Sequence, residues 1–285
     1  MGRLDGRVAA LALVITAIAP GGARAHGDLH GQIADLDARL AAAPDQAALY
    51  VRRGDLHRAH RDWRAALADY DRAGDLDPRL AGPDLGRAAV WLETDAPAAA
   101  LAAADRVLAR APEHSEGRRL RARSLLALLR PAEAAEEWGR LIAETAKPRP
   151  EHYAERARAL AAAGDAHLAE AVATLDEGIR RLGPLVTLDL LAIELELRLG
   201  RSDAALSRVE RQSEATPRKE GWLLRRGEIL EQAGRPAEAR QAFAGSLAAL
   251  AALPPGRRQT RAIEELRQRS EAALARTADR AKGDR

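Results

Sequence analysis

Four of the seven histidines fall within the first 60 residues, at spacings that bear on metal binding. His26 and His30 flank Asp28 in the run His-Gly-Asp-Leu-His, and His57 and His60 stand three residues apart. Imidazole nitrogens suit zinc and copper, and an α-amine freed just ahead of His26 would add a further ligand. Two histidines at i and i+3 share a helix face but supply only two of the four ligands of a closed zinc site. A polar N-terminus and histidines at a helix edge account for both sets without a metal. The expectation is therefore no metal and no other cofactor, with N-terminal histidine metal binding as an alternative. Other chemistry finds still less material. There is no cysteine, which excludes thiolate catalysis, disulfides and cysteine-based zinc sites. No phosphate-binding loop, zinc-protease helix or nucleophile elbow is present. The carboxylates recur three or four residues from arginines, the spacing of solvated pairs on a helix surface. An enzyme is not expected.

The elements that would position any site are helical. Aromatics make up 3% of the chain and charged residues 31%, with Ala, Leu, Arg and Glu abundant, all good helix formers. No segment alternates β-branched and polar residues, so the class is all-α. The balance of +3 and the sequence pI of about 9.6 raise nucleic-acid binding. Yet the arginines are interleaved with acids, and Lys147, Lys219 and Lys282 are the only lysines. That is a mixed surface and not the clustered footprint that phosphate binding needs. No nucleic-acid partner and no small-molecule substrate are expected.

Residues 1–25 read as a secretory leader. Arg3 and Arg7 supply a basic start, Val8 to Ala19 an apolar run, and Ala23-Arg24-Ala25 the small-x-small cleavage pattern. The run is too short to span a bilayer. Cleavage after Ala25 would release a chain starting at His26, periplasmic or secreted. The alternative is an uncleaved segment that anchors a membrane-associated accessory factor for envelope protein assembly or maturation.

Past the leader, prolines punctuate the chain at a fixed interval: Pro44, Pro78 and Pro112 are spaced by 34 residues. A fixed period of this length marks a helical solenoid. The unit from Ala47 to Pro78 resembles the tetratricopeptide repeat family, whose pattern is W-x₂-L-G-x₂-Y, A-x₃-F and P. Tyr50, Gly54 and His57 take the first, glycine and tyrosine slots; Ala66, Tyr70 and Pro78 take the later three. Arg53 departs from the pattern by occupying the leucine slot. The resemblance implies a right-handed superhelical solenoid of helix–turn–helix repeats with helical caps. The expected layout is a capping helix at 26–46, six repeats over 47–256, and a C-terminal capping helix and tail at 257–285. The fourth repeat carries an overlong turn, Gly164-Asp165-Ala166-His167, and a charged helix from Arg257 to about Ala278 closes the stack.

The resemblance also implies a binding surface, because the first helix of each pair lines a concave groove that holds a peptide. By position the lining residues are Asp55, Arg58, Leu85, Leu92, Arg119, Arg123, Arg158, Glu194 and Glu228, with Glu151, Leu190 and Leu224 beside them. The implied role is an exported protein–protein interaction scaffold or adaptor. Arg119, Arg123 and Arg158 are suited to bidentate capture of carboxylates on an acidic partner. The chain contains no asparagine, the residue with which chaperone-tail-binding members line the groove, so that partner is not expected. The aromatics, Trp222 included, fall in packing slots.

Overall fold

The computed structural model describes the backbone of residues 22–283 and the side chains of residues 29–277. The leader's basic start and apolar run lie outside the described residues, as does the side chain of His26. The described residues are helical throughout, joined by short turns and without strands. No helix among them is long and apolar enough to cross a membrane.

Helix α1 (Gly22–Ala42) is followed by six pairs. These are α2 (Ala47–Ala59) with α3 (Trp63–Leu76), α4 (Gly82–Glu93) with α5 (Pro97–Arg110), and α6 (Ser115–Ala127) with α7 (Pro131–Glu144). Then come α8 (Pro150–Ala163) with α9 (Leu168–Leu182), α10 (Val186–Arg198) with α11 (Ser202–Ala215), and α12 (Glu220–Gln232) with α13 (Pro236–Ala251). Short α14 (Pro255–Arg258) and long α15 (Arg261–Gly283) complete the chain. The expected single closing helix is thus broken at Gln259 and Thr260. Thr260 Oγ1 accepts from the Ile263 amide at 3.4 Å and so starts α15 afresh. The long turn of the fourth pair is a 3₁₀ segment, Asp165–His167.

Within most pairs the first helix ends in the same way. Arg61, Asp95, Leu129, Gly200 and Gly234 adopt positive φ, and the next residue's amide returns to a carbonyl five positions back, as in Asp62 to His57 and Arg235 to Leu230. This is the Schellman termination, which satisfies the last carbonyls of the helix. Its left-handed residue favours glycine, yet three of these five positions carry a side chain.

The chain divides into two compact units, 1–90 and 91–285. In the first, Tyr70 of α3 is the central buried side chain. Its ring lies against Gly54 of α2 and Gly86 of α4, where an added Cβ would come within 2.7 Å and 2.3 Å. Its hydroxyl donates to Asp55 at 2.8 Å. Burial, reinforced by that carboxylate, pushes the phenol above its ordinary titration range. Helix α1 rests on the unit through Leu36 and Leu40, which pack with Leu49, Tyr50 and Leu56.

In the second unit the largest core cluster runs through α6 to α10, with Leu125, Trp138, Tyr153, Leu175 and Leu195 among its members. A further cluster joins Leu224, Leu230 and Phe243 to Ala273 of α15. Here Gly227 and Phe243 repeat the glycine–aromatic contact, at 2.3 Å for an added Cβ.

Arg53, the departure from the leucine slot, explains itself in the fold. Arg53, Arg87 and Arg121 recur at intervals of 34 residues, and so do Asp37, Asp71 and Asp105. Each arginine sits on the first helix of a pair and meets the aspartate 16 residues earlier on the preceding helix. The distances are 2.6 Å, 2.8 Å and 2.7 Å. Arg53 and Arg121 add a second partner 16 residues later, Asp69 at 2.6 Å and Glu137 at 2.9 Å. The position after Arg87 in that register is Ala103, and Arg87 turns instead to Asp84 at 3.1 Å. A guanidinium with five donors in a planar fork can serve both neighbours, which leucine cannot.

Candidate functional site

The second unit contains a cleft of about 570 Å³ among α10, α12 and α15. Leu190 of α10, Trp222 and Leu224 of α12 and Leu266 of α15 supply its apolar wall. Arg218, Glu220, Arg225, Glu228 and Arg269 ring it. The size lies within the range of ligand-binding clefts, which combine apolar walls with a few placed polar groups.

Each wall residue has a local reason for its place. Helix α12 begins at Glu220, whose side chain is buried and held by Arg218 at 2.9 Å. Trp222 packs one side on Ile193, Ala205, Val209 and Ile229, and its remaining surface borders the cleft. Leu224 is 2% exposed and belongs to the Phe243 cluster, so it forms the floor. Leu190 is 45% exposed, unusual for a leucine of a packed helix, and stands open at the rim. On α15, Arg269 reaches Glu228 at 2.7 Å, and Arg225 approaches the same carboxylate at 3.5 Å. A polar extension of about 740 Å³ shares Arg225, Glu228 and Arg269 and continues to Glu231, Gln232 and Arg276. The cleft therefore offers a hydrophobic seat beside guanidinium groups whose acidic partners belong to the same chain. An incoming carboxylate can exchange with those partners without leaving a buried charge unpaired.

The residues expected in a groove fall into three groups. Leu190, Leu224 and Glu228 meet in the cleft. Asp55 and Arg58 of α2 and Leu85 of α4 belong to the first unit, where Asp55 is engaged by Tyr70. Leu92, Arg119, Arg123, Glu151, Arg158 and Glu194 belong to the second unit and do not line the cleft. Arg119 is forked onto Glu116, and Arg158 bonds Glu155 at 2.7 Å, both one turn away on their own helices. Arg123 and Glu194 are exposed. Sequence position alone misses Arg218, Trp222, Leu266 and Arg269. The available signal for the last two was the apolar face of the closing helix, which was read as a cover for the stack.

The histidine pairs also change. His30 of α1 faces His60 at the end of α2, with Nε2 atoms 3.2 Å apart, while His57 Nε2 lies 3.9 Å from Asp69 Oδ2. Among the described residues, no three His, Asp or Glu side chains gather to hold a metal. His152, beside Trp138, is shifted below its ordinary range by burial and by the nearby Arg149 charge.

No protein-family model and no curated protein matches the sequence. Solved structures do. A tetratricopeptide repeat protein from Parabacteroides merdae ATCC 43184 superposes with a TM-score of 0.54 at 18% identity, over 87% of this chain and 94% of that one. The Pseudomonas aeruginosa protein pilF gives 0.53 at 14% identity, over 73% and 93%. A chain of the Naa15/Naa10 complex bound to HypK-THB gives 0.53 at 15% identity, over 90% of this chain and 38% of that one. The fold is an all-α tetratricopeptide-repeat solenoid.

Proposed function

We propose that this chain is a non-enzymatic protein–protein interaction scaffold, exported through its N-terminal leader, that seats a peptide segment of its partner in the cleft of the second unit. The observation that carries the reading is the meeting of exposed Leu190 with Trp222 and Leu266 beside Arg218, Arg225 and Arg269. An apolar side chain flanked by carboxylates matches that lining. The apolar anchor supplies affinity as it leaves water, and the guanidinium groups set register and orientation. Arg119, Arg123 and Arg158 extend the basic character onto α6 and α8, where a longer acidic segment would run.

The test is capture from envelope extract of the native organism, with mass spectrometry. Untagged wild type is immobilised alongside Leu190→Asp and the triple change of Arg119, Arg123 and Arg158 to Glu. Leu190 is half in solvent, so its replacement spares the core. The expected result is a partner held by the wild type and lost by Leu190→Asp, with weaker capture by the triple variant. A partner held equally by the wild type and Leu190→Asp overturns the cleft assignment.

A further inference from the structure

The imidazoles of His30 and His60 come from different helices and approach through the same atom, Nε2, at 3.2 Å. Their ring centroids are 4.7 Å apart and their planes are inclined by 60°. Two geometries explain such a meeting. One ring donates an N–H to the other, or both lone pairs converge on one cation. A tetrahedral ion with metal–nitrogen bonds of about 2.0–2.1 Å holds two of its nitrogens roughly 3.3–3.4 Å apart. The observed spacing therefore accommodates a metal after an adjustment of a few tenths of an ångström, with no movement of either helix.

The surroundings suit an open site. His30 is exposed and His60 half-buried, so water can complete the coordination. The absence of a third ligating side chain among the described residues distinguishes this arrangement from a closed structural zinc site. Neutral imidazole pairs suit zinc and copper, whereas magnesium and calcium require oxygen ligands.

We propose that His30 and His60 form a two-imidazole chelate for a divalent transition-metal ion, zinc or copper, that ties α1 to the end of α2. The apolar packing of α1 sits further along the helix, at Leu36 and Leu40, and the Asp37–Arg53 bridge lies beside it. A metal at His30 adds a second attachment nearer the start of α1. Occupancy then sets how much of α1 is held against the first unit.

The experiment uses the untagged full chain, titrated separately with zinc chloride and copper sulfate by calorimetry. Thermal midpoints are recorded with and without metal. The wild type binds one equivalent and melts at a higher temperature in its presence, since a ligand for the folded state stabilises it by mass action. His30→Gln and His60→Gln each lose the binding and the thermal shift while keeping the wild-type circular dichroism spectrum. His57→Gln keeps both. Failure of the wild type to bind either metal overturns the proposal. So does one-equivalent binding that survives in the His30→Gln/His60→Gln double variant.

Discussion

Replacing Gly86 by alanine sets two known effects of opposite sign against each other. In a helix interior, alanine is favoured over glycine by about 1 kcal/mol, so propensity alone predicts a more stable protein. Packing predicts the reverse. A Cβ on Gly86 would lie 2.3 Å from Cζ and 2.4 Å from Cε1 of Tyr70. Relief to an ordinary contact requires the ring to retreat by about 1 Å or more. Its retreat is closed off, because Gly54 on the facing helix already lets the ring in so closely that its own missing Cβ would be 2.7 Å away. Overpacking of this kind costs about 1–3 kcal/mol, at the upper end where neither neighbour can yield. The expected net effect of Gly86→Ala is a loss of about 2 kcal/mol. Urea denaturation followed by circular dichroism measures it, with Gly31→Ala as the control. Nothing stands within 4 Å of a Cβ on Gly31, so that change should stabilise by up to about 1 kcal/mol. A double-mutant cycle with Tyr70→Leu should return a coupling of about 1 kcal/mol or more, because the smaller side chain makes room. If Gly86→Ala matches or exceeds the wild type in stability, the reasoning from the ring contact fails.

Two further outcomes are expected. Leu129 holds φ at +57° while 88% exposed, so Leu129→Gly sheds backbone strain and loses little packing. A stabilisation of about 0.5–1 kcal/mol should appear as a higher thermal midpoint. Glu137 is 2% exposed and joins Arg118 at 3.1 Å, Arg121 at 2.9 Å and Arg140 at 3.0 Å. Glu137→Ala leaves the buried Arg118 with Glu144 and the Pro112 carbonyl only, and should cost about 2 kcal/mol in urea unfolding.

What could be read from the sequence follows the range of the interactions involved. Proline stops, small crossing residues and the overlong turn at Gly164 are local signals, and they place the helices of α2 to α13. The break before α15 was missed because Thr260 caps a helix that the apolar spacing on either side made continuous. The Schellman turns at Arg61, Asp95 and Leu129 were hidden because none of them has the glycine that advertises a left-handed residue. The arginine of the leucine slot looked like a defect in one repeat. Its meaning lies in a partner on another helix, although the shared 34-residue period of Asp37, Asp71 and Asp105 was available as a clue. Leu190, Leu224 and Glu228 were placed on the correct surface through the family's geometry. Arg269 and Leu266 arrive there only because α15 packs on α12 and α13. His30 and His60 are 30 residues apart, and only the docking of α1 on α2 brings them together.

The aspartate–arginine bridges bear on how such a chain can change length. Each rung joins two residues at an offset of 16, and the rungs repeat every 34. Insertion or loss of one whole period in the gene rejoins an aspartate-bearing helix to an arginine-bearing helix at the same offset. An insertion of any other length puts the guanidinium on the wrong side of its helix. The charge pattern thus acts as a reading frame above the codon, in which whole repeats are interchangeable and fragments of them are not.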